Sequence, residues 1–388
     1  MPPATDKARV RETLPLPRFH ALLAVLATVC LALLAGAPSQ AYAESACAKV
    51  AAPVGSDDAE GTEDDPFRSL EELVEELDAD EVGCLRAGTY GGDEIYFEAP
   101  GAELRSYPGE LATITAFMEV VPEAVGAHIH HLRFDASHHD NEVGIKLQAD
   151  RTQFTDNELT KGGNGICLLA GTYHPAAGIL IERNRIYDCG PASSKYMHQI
   201  YLQNTRGAVV RWNILTGNAG GWGVHLYANA DDSLIAHNII DGNHGGVIFA
   251  GDDEATSDRN VVRNNAITYS QQRWNLEGSW SDAGTGSGNR AVRNCVYSNG
   301  EDAPSGIEEG DGGFVESANL VSSGSPYLAR NLGDYRFDPE SRCARLVGDV
   351  VGVIAGAVTP APEAEPRRVR LGTNRRRAAL ASLTPAAG

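Results

Sequence analysis

The feature that most constrains this chain is a pair of motifs repeated between residues 144 and 294. The first motif reads Gly-Ile-x-Leu and recurs as GIKL, GICL, QIYL, GVHL, GVIF and RWNL, starting at Gly144, Gly165, Gln199, Gly223, Gly246 and Arg273. The second reads Ile-x-x-Asn-x-Ile, with asparagines 25 to 29 residues apart at Asn157, Asn184, Asn213, Asn238, Asn265 and, less regularly, Asn294. A period of this length, made of short strands and turns without a helix between them, predicts a solenoid.

Alternation within the first motif predicts which side chains face the core. Successive side chains of a strand point to opposite faces, so Ile145 and Leu147 share one face and Lys146 and Gln148 share the other. Because the apolar pair recurs in each repeat, we expect it inside. The asparagines are expected at corners, since Asn tolerates left-handed turns and bonds backbone groups there. Their amides can also bond the asparagines above and below them, so we interpret the column as structural.

These motifs resemble those of right-handed parallel β-helix proteins with pectate-lyase-like repeats. The resemblance covers about residues 50–355 and is specific for the fold rather than for an activity. The stretches HQIYL, GVHLY and WNLE are similar to those of secreted actinobacterial β-helix proteins; they begin at His198, Gly223 and Trp274. The wider superfamily contains polysaccharide lyases, hydrolases and epimerases, and also non-enzymatic surface proteins. The resemblance therefore implies an all-β fold, a single right-handed parallel β-helix, and leaves the activity open.

Composition divides the chain into four parts. Residues 1–43 are predicted to be a secretory signal peptide, with arginines before an apolar run and small residues at the cleavage site; an uncleaved membrane anchor is the alternative. Residues 44–80 are expected to form a loop and an N-terminal capping helix, because an open solenoid end exposes apolar core. Residues 81–358 are assigned to the β-helix, and residues 359–388 to a disordered basic tail. We expect a secreted monomer with no stable membrane span after cleavage.

The formal charge of −20 limits the possible partners. Such a surface repels nucleic acid and anionic lipid in general. It also weakens the case for a polyanionic substrate, unless a local basic groove or a bound cation compensates. We therefore expect no nucleic acid partner.

Six cysteines follow the predicted signal peptide, and an even number in an exported chain suggests disulfides. Fifteen pairings are formally possible. Each rung of a solenoid contacts only its neighbours, which favours partners close in sequence. We expect the pairs Cys47–Cys84, Cys167–Cys189 and Cys295–Cys343. For Cys167 the alternative is a side chain that faces a cleft.

The outward positions of the first motif are expected to form two columns along the solenoid. The first column contains Lys146, Cys167, Tyr201, His225, Ile248 and Asn275. The second contains Gln148, Leu169, Gln203, Tyr227, Ala250 and Glu277. Strands stack about 4.8 Å apart. Tyr201, His225, Gln203 and Tyr227, which are neighbours in the two columns, should therefore form one patch. Loops beside this strand are long, and binding groups concentrate on such loops.

This patch suits a polysaccharide, because aromatic rings stack on sugar faces while amides and carboxylates bond hydroxyls. The catalytic candidates are His198, Tyr201, His225 and Glu277. The substrate-binding candidates are Lys146, Lys195, Gln203, Tyr227, Asn275 and Trp280. Elimination from a uronic acid would need a base such as a tyrosine, histidine or lysine, and hydrolysis would need paired carboxylates, of which Glu277 is one. We therefore predict an exported protein that binds a polysaccharide and cleaves it by elimination or hydrolysis. The alternatives are a non-catalytic surface that binds glycan or cell-wall material and an ordinary polar face.

No metal ligands are assigned, although two places are considered. The Asp252-Asp253-Glu254 turn has the oxygen ligands that Ca²⁺ prefers, but a solvated acidic turn is the simpler interpretation. The second place is a set of histidines with two nearby aspartates, namely His128, His130, His138, His139, Asp135 and Asp140. We favour a strand, a corner and an exposed loop there, with His130 in the asparagine position of the second motif. Histidines two apart on a strand share a face, so the metal alternative stays open.

Overall fold

The structure is a computed structural model that describes residues 46–278, 286–297, 306–308 and 313–355. The predicted signal peptide, the basic tail and Trp280 lie outside these residues. The described chain winds into a right-handed parallel β-solenoid of about 9 turns, which confirms the predicted fold class. Three parallel sheets run along it, and most turns contribute one strand to each of them.

The three sheets are called A, B and C in the order in which the chain visits them. Sheet A has 11 strands: Lys49–Ala51, Val82–Leu85, Glu103–Ser106, His128–His130, Gln153–Thr155, Leu180–Glu182, Val209–Arg211, Leu234–Ala236, Val261–Arg263, Asn289–Val292 and Phe314–Ser317. Sheet B has 10 strands: Gly88–Tyr90, Ala112–Ile114, Arg133–Asp135, Glu158–Thr160, Arg185–Tyr187, Ile214–Thr216, Ile239–Asp241, Ala266–Thr268, Cys295–Tyr297 and Leu320–Val321. Sheet C has 8 strands: Glu94–Phe97, Phe117–Val120, Val143–Leu147, Ile166–Ala177, Ile200–Arg206, Trp222–Tyr227, Gly245–Phe249 and Leu276–Gly278.

The second motif spans sheets A and B, and the first motif lies in sheet C. Ile145 and Leu147 are buried in the core, as the alternation predicts, whereas Lys146 is partly exposed. Apolar side chains from all three sheets fill one continuous interior. Burial of this interior stabilises the solenoid, at about 25 cal/mol per Å² of apolar surface.

Helix α1, Leu70–Glu75, covers the first turn and is the predicted N-terminal cap. It begins at Ser69, whose hydroxyl accepts a hydrogen bond from the Glu72 N–H at 3.1 Å. Its buried residues Leu70 and Leu73 join the solenoid core. The helix therefore shields apolar surface that the first strands would otherwise expose.

The C-terminal elements pack on the outer face of sheet B. They comprise an antiparallel pair of strands, a 3-10 turn and two short helices: Tyr327–Ala329, Arg330–Leu332, Asp334–Phe337, α2 (Arg342–Val347) and α3 (Val350–Ala355). Tyr327, Val347 and Val350 are buried against Ile239 and its neighbours on sheet B. These contacts leave the outer face of sheet C uncovered by the C-terminal elements.

Asparagines form a continuous hydrogen-bonded ladder at the corner between sheets A and B. The backbone N–H of Asn184 donates to the side-chain oxygen of Asn213 at 2.9 Å, and that of Asn213 donates to Asn238 at 2.9 Å. The same bond joins Asn157 to Asn184 and continues through Asn265 and Asn294 to Asn319. The left-handed residue at each corner is the one before the asparagine, such as Trp212 at φ 57°. The amide bonds, rather than a left-handed asparagine, thus explain this column.

His130 does not occupy the asparagine position in its turn, so that alignment was wrong. Strand pairing places His130 opposite Thr155, and Leu132 therefore stands opposite Asn157. The Leu132 N–H still donates to the Asn157 side-chain oxygen at 3.0 Å. The ladder thus ends at an apolar residue that contributes only its backbone.

The structure contains the three disulfides expected from the sequence, Cys47–Cys84, Cys167–Cys189 and Cys295–Cys343. Cys167 points into the core and not towards a cleft, since it is fully buried. Among the described residues, no helix has the length and apolar character needed to cross a membrane.

Candidate functional site

The strand register of sheet C fixes which side chains form the outward column. From one end to the other this column contains Tyr96, Glu119, Lys146, Leu169, Tyr201, His225, Ile248 and Glu277. Tyr201 and His225 are neighbours, as predicted, and Gln203 and Tyr227 form the next pair along the same two strands. The central patch was therefore predicted correctly in its arrangement.

For two copies of the first motif, the alignment predicted from the sequence was wrong by two residues. In the GICL repeat, Leu168 pairs with Ile145, so Leu169 is outward and Cys167 lies inside. In the RWNL repeat, Leu276 pairs with Val247, which moves Glu277 into the first column.

Asn275 consequently does not face outward, and its predicted substrate contact is wrong. Its side chain is fully buried, and its side-chain oxygen accepts a hydrogen bond from the Ser270 hydroxyl at 2.7 Å. The cause is a bend at the start of this strand, where the successive residues Asn275 and Leu276 are both fully buried. Gly223 shows the same bend in its own strand, because a Cβ there would meet the inward Ile240 side chain at 2.4 Å.

Four rings form a compact group that we call the imidazole cluster: His198, Tyr201, Trp222 and His225. The ring centroids of His198 lie 4.9 Å from Tyr201 and 4.2 Å from His225. Nδ1 of His225 lies 2.7 Å from Nε2 of His198. Three of the four rings are almost fully buried, and Tyr201 is partly exposed. The structure therefore brings three of the predicted catalytic residues together, mostly beneath the surface.

Hydrogen bonds assign the tautomers of the two histidines. The Trp222 backbone N–H donates to Nδ1 of His198 at 3.3 Å, so a neutral His198 carries its proton on Nε2. That proton is donated to Nδ1 of His225, which leaves the His225 proton on Nε2. Nε2 of His225 is buried and has no hydrogen-bond partner among the described residues. In this tautomer His225 presents a donor, and not a base, to anything that reaches it.

Burial keeps both imidazoles neutral. It lowers the pKa of His225 from 6.5 to about 3. Burial also lowers the pKa of His198 well below its usual value, and the neighbouring His225 adds to this effect. For the phenols of Tyr201 and Tyr227, burial raises the pKa and nearby Asp252 raises it further. The site therefore holds neutral rings at neutral pH.

Glu277 is a buried, fully engaged carboxylate. Its Oε1 accepts a hydrogen bond from the Trp222 indole N–H, and its Oε2 lies 2.5 Å from Nη2 of Arg273. Burial raises the pKa of Glu277, and the bonds from Arg273 and Trp222 oppose this rise. The carboxylate is thus held in place as part of a structural network with its two partners.

The partly exposed portion of the site consists of Tyr201, Gln203 and Tyr227. The ring centroids of the two tyrosines lie 5.8 Å apart, with planes inclined by 51°. Gln203 pairs with Tyr227 on the neighbouring strand. We call these three residues the aromatic patch.

The two lysines predicted to bind substrate have different surroundings. Lys146 is separated from Tyr201 by the buried Leu169, and its ammonium lies 3.8 Å from Glu119. Lys195 is exposed, and its ammonium lies 5.5 Å from the Tyr196 ring centroid. Lys195 also helps to lower the pKa of His244, although burial is the main cause. Lys195 therefore acts electrostatically on His244, whose ring lies 5.6 Å from that of Trp222 in the cluster.

Sequence reasoning missed Trp222, Arg273 and His244. Trp222 directly precedes the GVHL repeat, and its ring lies 5.6 Å from that of His244. The signal available was the glycine before it, since a Cβ on Gly221 would lie 2.6 Å from Nδ1 of His198. A close approach of this kind requires glycine and marks a tightly packed site.

The Asp252-Asp253-Glu254 turn is organised by its own backbone. Oδ1 of Asp252 accepts hydrogen bonds from the N–H groups of Glu254 and Ala255 at 2.9 and 2.7 Å. Such bonds are typical of an Asx turn. Among the described residues, none of these acids belongs to a group of three ligand residues close enough together to hold a metal ion.

A match to a known protein family supports the fold. Residues 123–295 match the sequence model of a family described as right handed beta helix region. A pectate lyase structure is 11% identical, with coverage of 76% of this chain and 91% of that chain and a TM-score of 0.48. A rhamnogalacturonan lyase structure is 13% identical, with coverage of 79% and 98% and a TM-score of 0.48. No curated protein matches significantly in sequence.

Proposed function

We propose that this right-handed parallel β-helix protein is exported and binds a polysaccharide along the outward face of sheet C. The observation that carries the proposal is the aromatic patch, in which Tyr201, Gln203 and Tyr227 are partly exposed on two adjacent strands. Aromatic rings supply apolar faces for sugar rings, and the amide supplies both a donor and an acceptor for hydroxyls. The three disulfides support export, because disulfides persist in oxidising compartments.

The charges near the patch favour a neutral glycan. Asp252 lies close enough to raise the pKa of both patch tyrosines, and the chain carries a formal charge of −20. A polyanion would meet repulsion from both. Lys195, on the loop beside the cluster, is a cation that would offset part of it.

Cleavage by elimination is the second candidate function, and the stacking of Tyr201 on His225 favours it. A base would remove the proton next to the uronic carboxylate, and that electron pair would form a C=C bond. The glycosidic C–O bond on the next carbon would break, and the protonated Tyr201 phenol would supply a proton to the leaving oxygen. Nε2 of His225 can accept the carbon-bound proton only after the His198–His225 pair adopts the opposite tautomers.

Hydrolysis has less support than elimination. It needs one carboxyl group that donates a proton and a second that attacks or activates water. Both oxygens of Glu277 are engaged, by Trp222 and Arg273. Proton delivery by Glu277 would require the loss of one of these bonds.

The experiment is a binding and activity screen of the mature chain on neutral and acidic polysaccharides, with and without Ca²⁺. Affinity electrophoresis measures binding, absorbance near 235 nm measures unsaturated uronides, and a reducing-end assay measures any cleavage. We expect retention by at least one glycan, and about tenfold weaker retention for Tyr227→Ala. Tyr107→Ala, a partly buried tyrosine at the edge of sheet A, is the matched control and should bind normally.

Each outcome separates the candidates. Binding without product supports the glycan-binding function. Binding together with a rise in absorbance near 235 nm and new reducing ends supports elimination. Binding with new reducing ends alone would support hydrolysis. If no glycan is retained, or if Tyr107→Ala weakens binding as much as Tyr227→Ala does, the proposed function is wrong.

A further inference from the structure

A second group of convergent polar side chains lies on sheet A, on strands other than those of the imidazole cluster. Glu103 pairs with His128 on the neighbouring strand, and Arg105 pairs with His130. One ligand atom from each of Glu103, His128 and His130 lies within 4.8 Å of the others. It is the one such group of three among the residues that the structure describes.

Geometry directs these side chains towards a common point. Nε2 of His130 lies 2.6 Å from Oε1 of Glu103. The rings of His128 and His130 are stacked, with centroids 4.1 Å apart and planes inclined by 15°. Parallel strands in register hold all three backbones, so only small side-chain rotations separate this arrangement from the spacing of about 3.3 Å between ligands of a tetrahedral ion.

Neighbouring residues hold the two rings in orientation. Nδ1 of His130 lies 2.6 Å from Nδ1 of His131, and Nε2 of His128 lies 2.8 Å from the Thr155 hydroxyl oxygen. Metal-binding histidines usually have a second partner of this kind, which fixes the ring. The His130 side chain is 9% exposed and that of Glu103 is 23% exposed, so the group is sheltered but reachable from solvent.

We propose that Glu103, His128 and His130 bind a divalent transition-metal ion of the Zn²⁺ type on the outer face of sheet A. Two imidazoles and one carboxylate form a ligand set that suits Zn²⁺, with a fourth position for water. Ca²⁺ is a poor fit, because it prefers six to eight oxygen ligands.

Arg105 sets the strength of the binding. Its Nε lies 3.2 Å from Oε1 of Glu103, and its side chain is 1% exposed. The guanidinium shares the carboxylate with the ion and repels it, so affinity is expected in the micromolar rather than the nanomolar range. The same positive charge would favour an anionic fourth ligand.

The test titrates Zn²⁺ into the untagged mature chain after treatment with a chelator, by calorimetry and by thermal unfolding. We expect one equivalent to bind and to raise the Tm, with no response to Ca²⁺. Glu103→Gln and His128→Asn should each weaken binding at least tenfold. His138→Asn, which replaces an exposed histidine outside the group, should bind as the unchanged chain does.

Metal-free circular dichroism and Tm show whether the variants fold. If His128→Asn does not fold, Glu103→Gln and the conservative Glu103→Asp still test the site. The proposal is overturned if Zn²⁺ neither releases heat nor raises the Tm. It is also overturned if Glu103→Gln binds with unchanged affinity, or if His138→Asn abolishes binding.

Discussion

The phenol ring of Tyr201 lies nearly parallel to the imidazole ring of His225, with centroids 5.1 Å apart and planes inclined by 16°. The two residues are directly paired on adjacent strands, so backbone register rather than side-chain choice sets their separation. The Tyr201 ring is partly exposed, whereas the His225 ring is buried. A ligand on this face would therefore meet Tyr201 first.

Substitutions at Tyr201 should separate stacking from hydroxyl chemistry. Tyr201→Phe keeps the ring, so glycan binding should stay within about twofold of the unchanged protein. Tyr201→Ala removes the ring and should weaken binding about tenfold, which corresponds to about 1.4 kcal/mol. Calorimetry with a retained glycan measures both. If product forms at 235 nm, its loss in Tyr201→Phe with intact binding would assign the phenol a chemical role.

Acid should destabilise the protein through its buried histidines. Burial lowers the pKa of His225 from 6.5 to about 3, so between these values the unfolded chain binds a proton that the folded chain does not. The stability is present above about pH 6.5 and is lost as the pH falls towards 3. Urea unfolding at pH 7.5 and pH 5 measures this loss.

The variant His225→Gln should show a smaller difference between these two pH values. Burial also lowers the pKa of His198, so part of the pH dependence of stability should remain in this variant. An unchanged dependence in His225→Gln would contradict the assignment of His225 as a buried neutral imidazole.

Substitution within the asparagine ladder should cost more stability than substitution at its end. Asn213→Ala removes the acceptor of the Asn184 N–H and of the Asn184 amide, both in the buried interior. Unsatisfied buried donors cost about 1–3 kcal/mol each, so we expect a loss of about 3 kcal/mol. Asn319→Ala, at the partly exposed end, should cost less than about 1 kcal/mol. Chemical denaturation measures the free energy of unfolding of both variants. Equal losses would contradict the expectation that interior asparagines of the ladder contribute more stability than the one at its end.

The Arg273–Glu277 pair should behave as a structural unit. Arg273→Leu leaves the Glu277 carboxylate buried with only the Trp222 indole, and an uncompensated buried charge costs about 3 kcal/mol or more. The double variant Arg273→Leu/Glu277→Gln removes that charge and should recover most of the loss. Thermal unfolding measures the cycle. Any glycan cleavage should survive Glu277→Gln, and its abolition in a folded variant would instead support hydrolysis.

The sequence predicted the fold and the central pair of the site because both follow from strand periodicity. Tyr201 and His225 occupy the same position in two adjacent repeats, QIYL and GVHL, that were aligned correctly. The errors at Cys167 and Asn275 arose in copies of the first motif whose residues can be aligned with the other copies in two registers. GICLLAG contains apolar residues at successive positions, so alternation alone does not fix which of them are inside.

Burial was the property that sequence reasoning could not provide. The columns predicted outward side chains, but His225 is 4% exposed and Glu277 is fully buried. Trp222 and Arg273 supply the partners of Glu277, and neither residue type is among the shared residues of the Gly-Ile-x-Leu motif. Contacts of this kind depend on loops that differ from turn to turn, whereas repeats report only what the turns share.

The asparagine ladder also fixes the unit in which this chain can change length. A whole added turn with its own asparagine would bond the turns on either side and leave each register intact. A single residue inserted at the same corner would displace the amide from its neighbour's N–H and turn the next strand inside out. Duplication of whole turns is therefore the tolerated route to a longer solenoid, and small insertions should accumulate in the loops between sheets B and C.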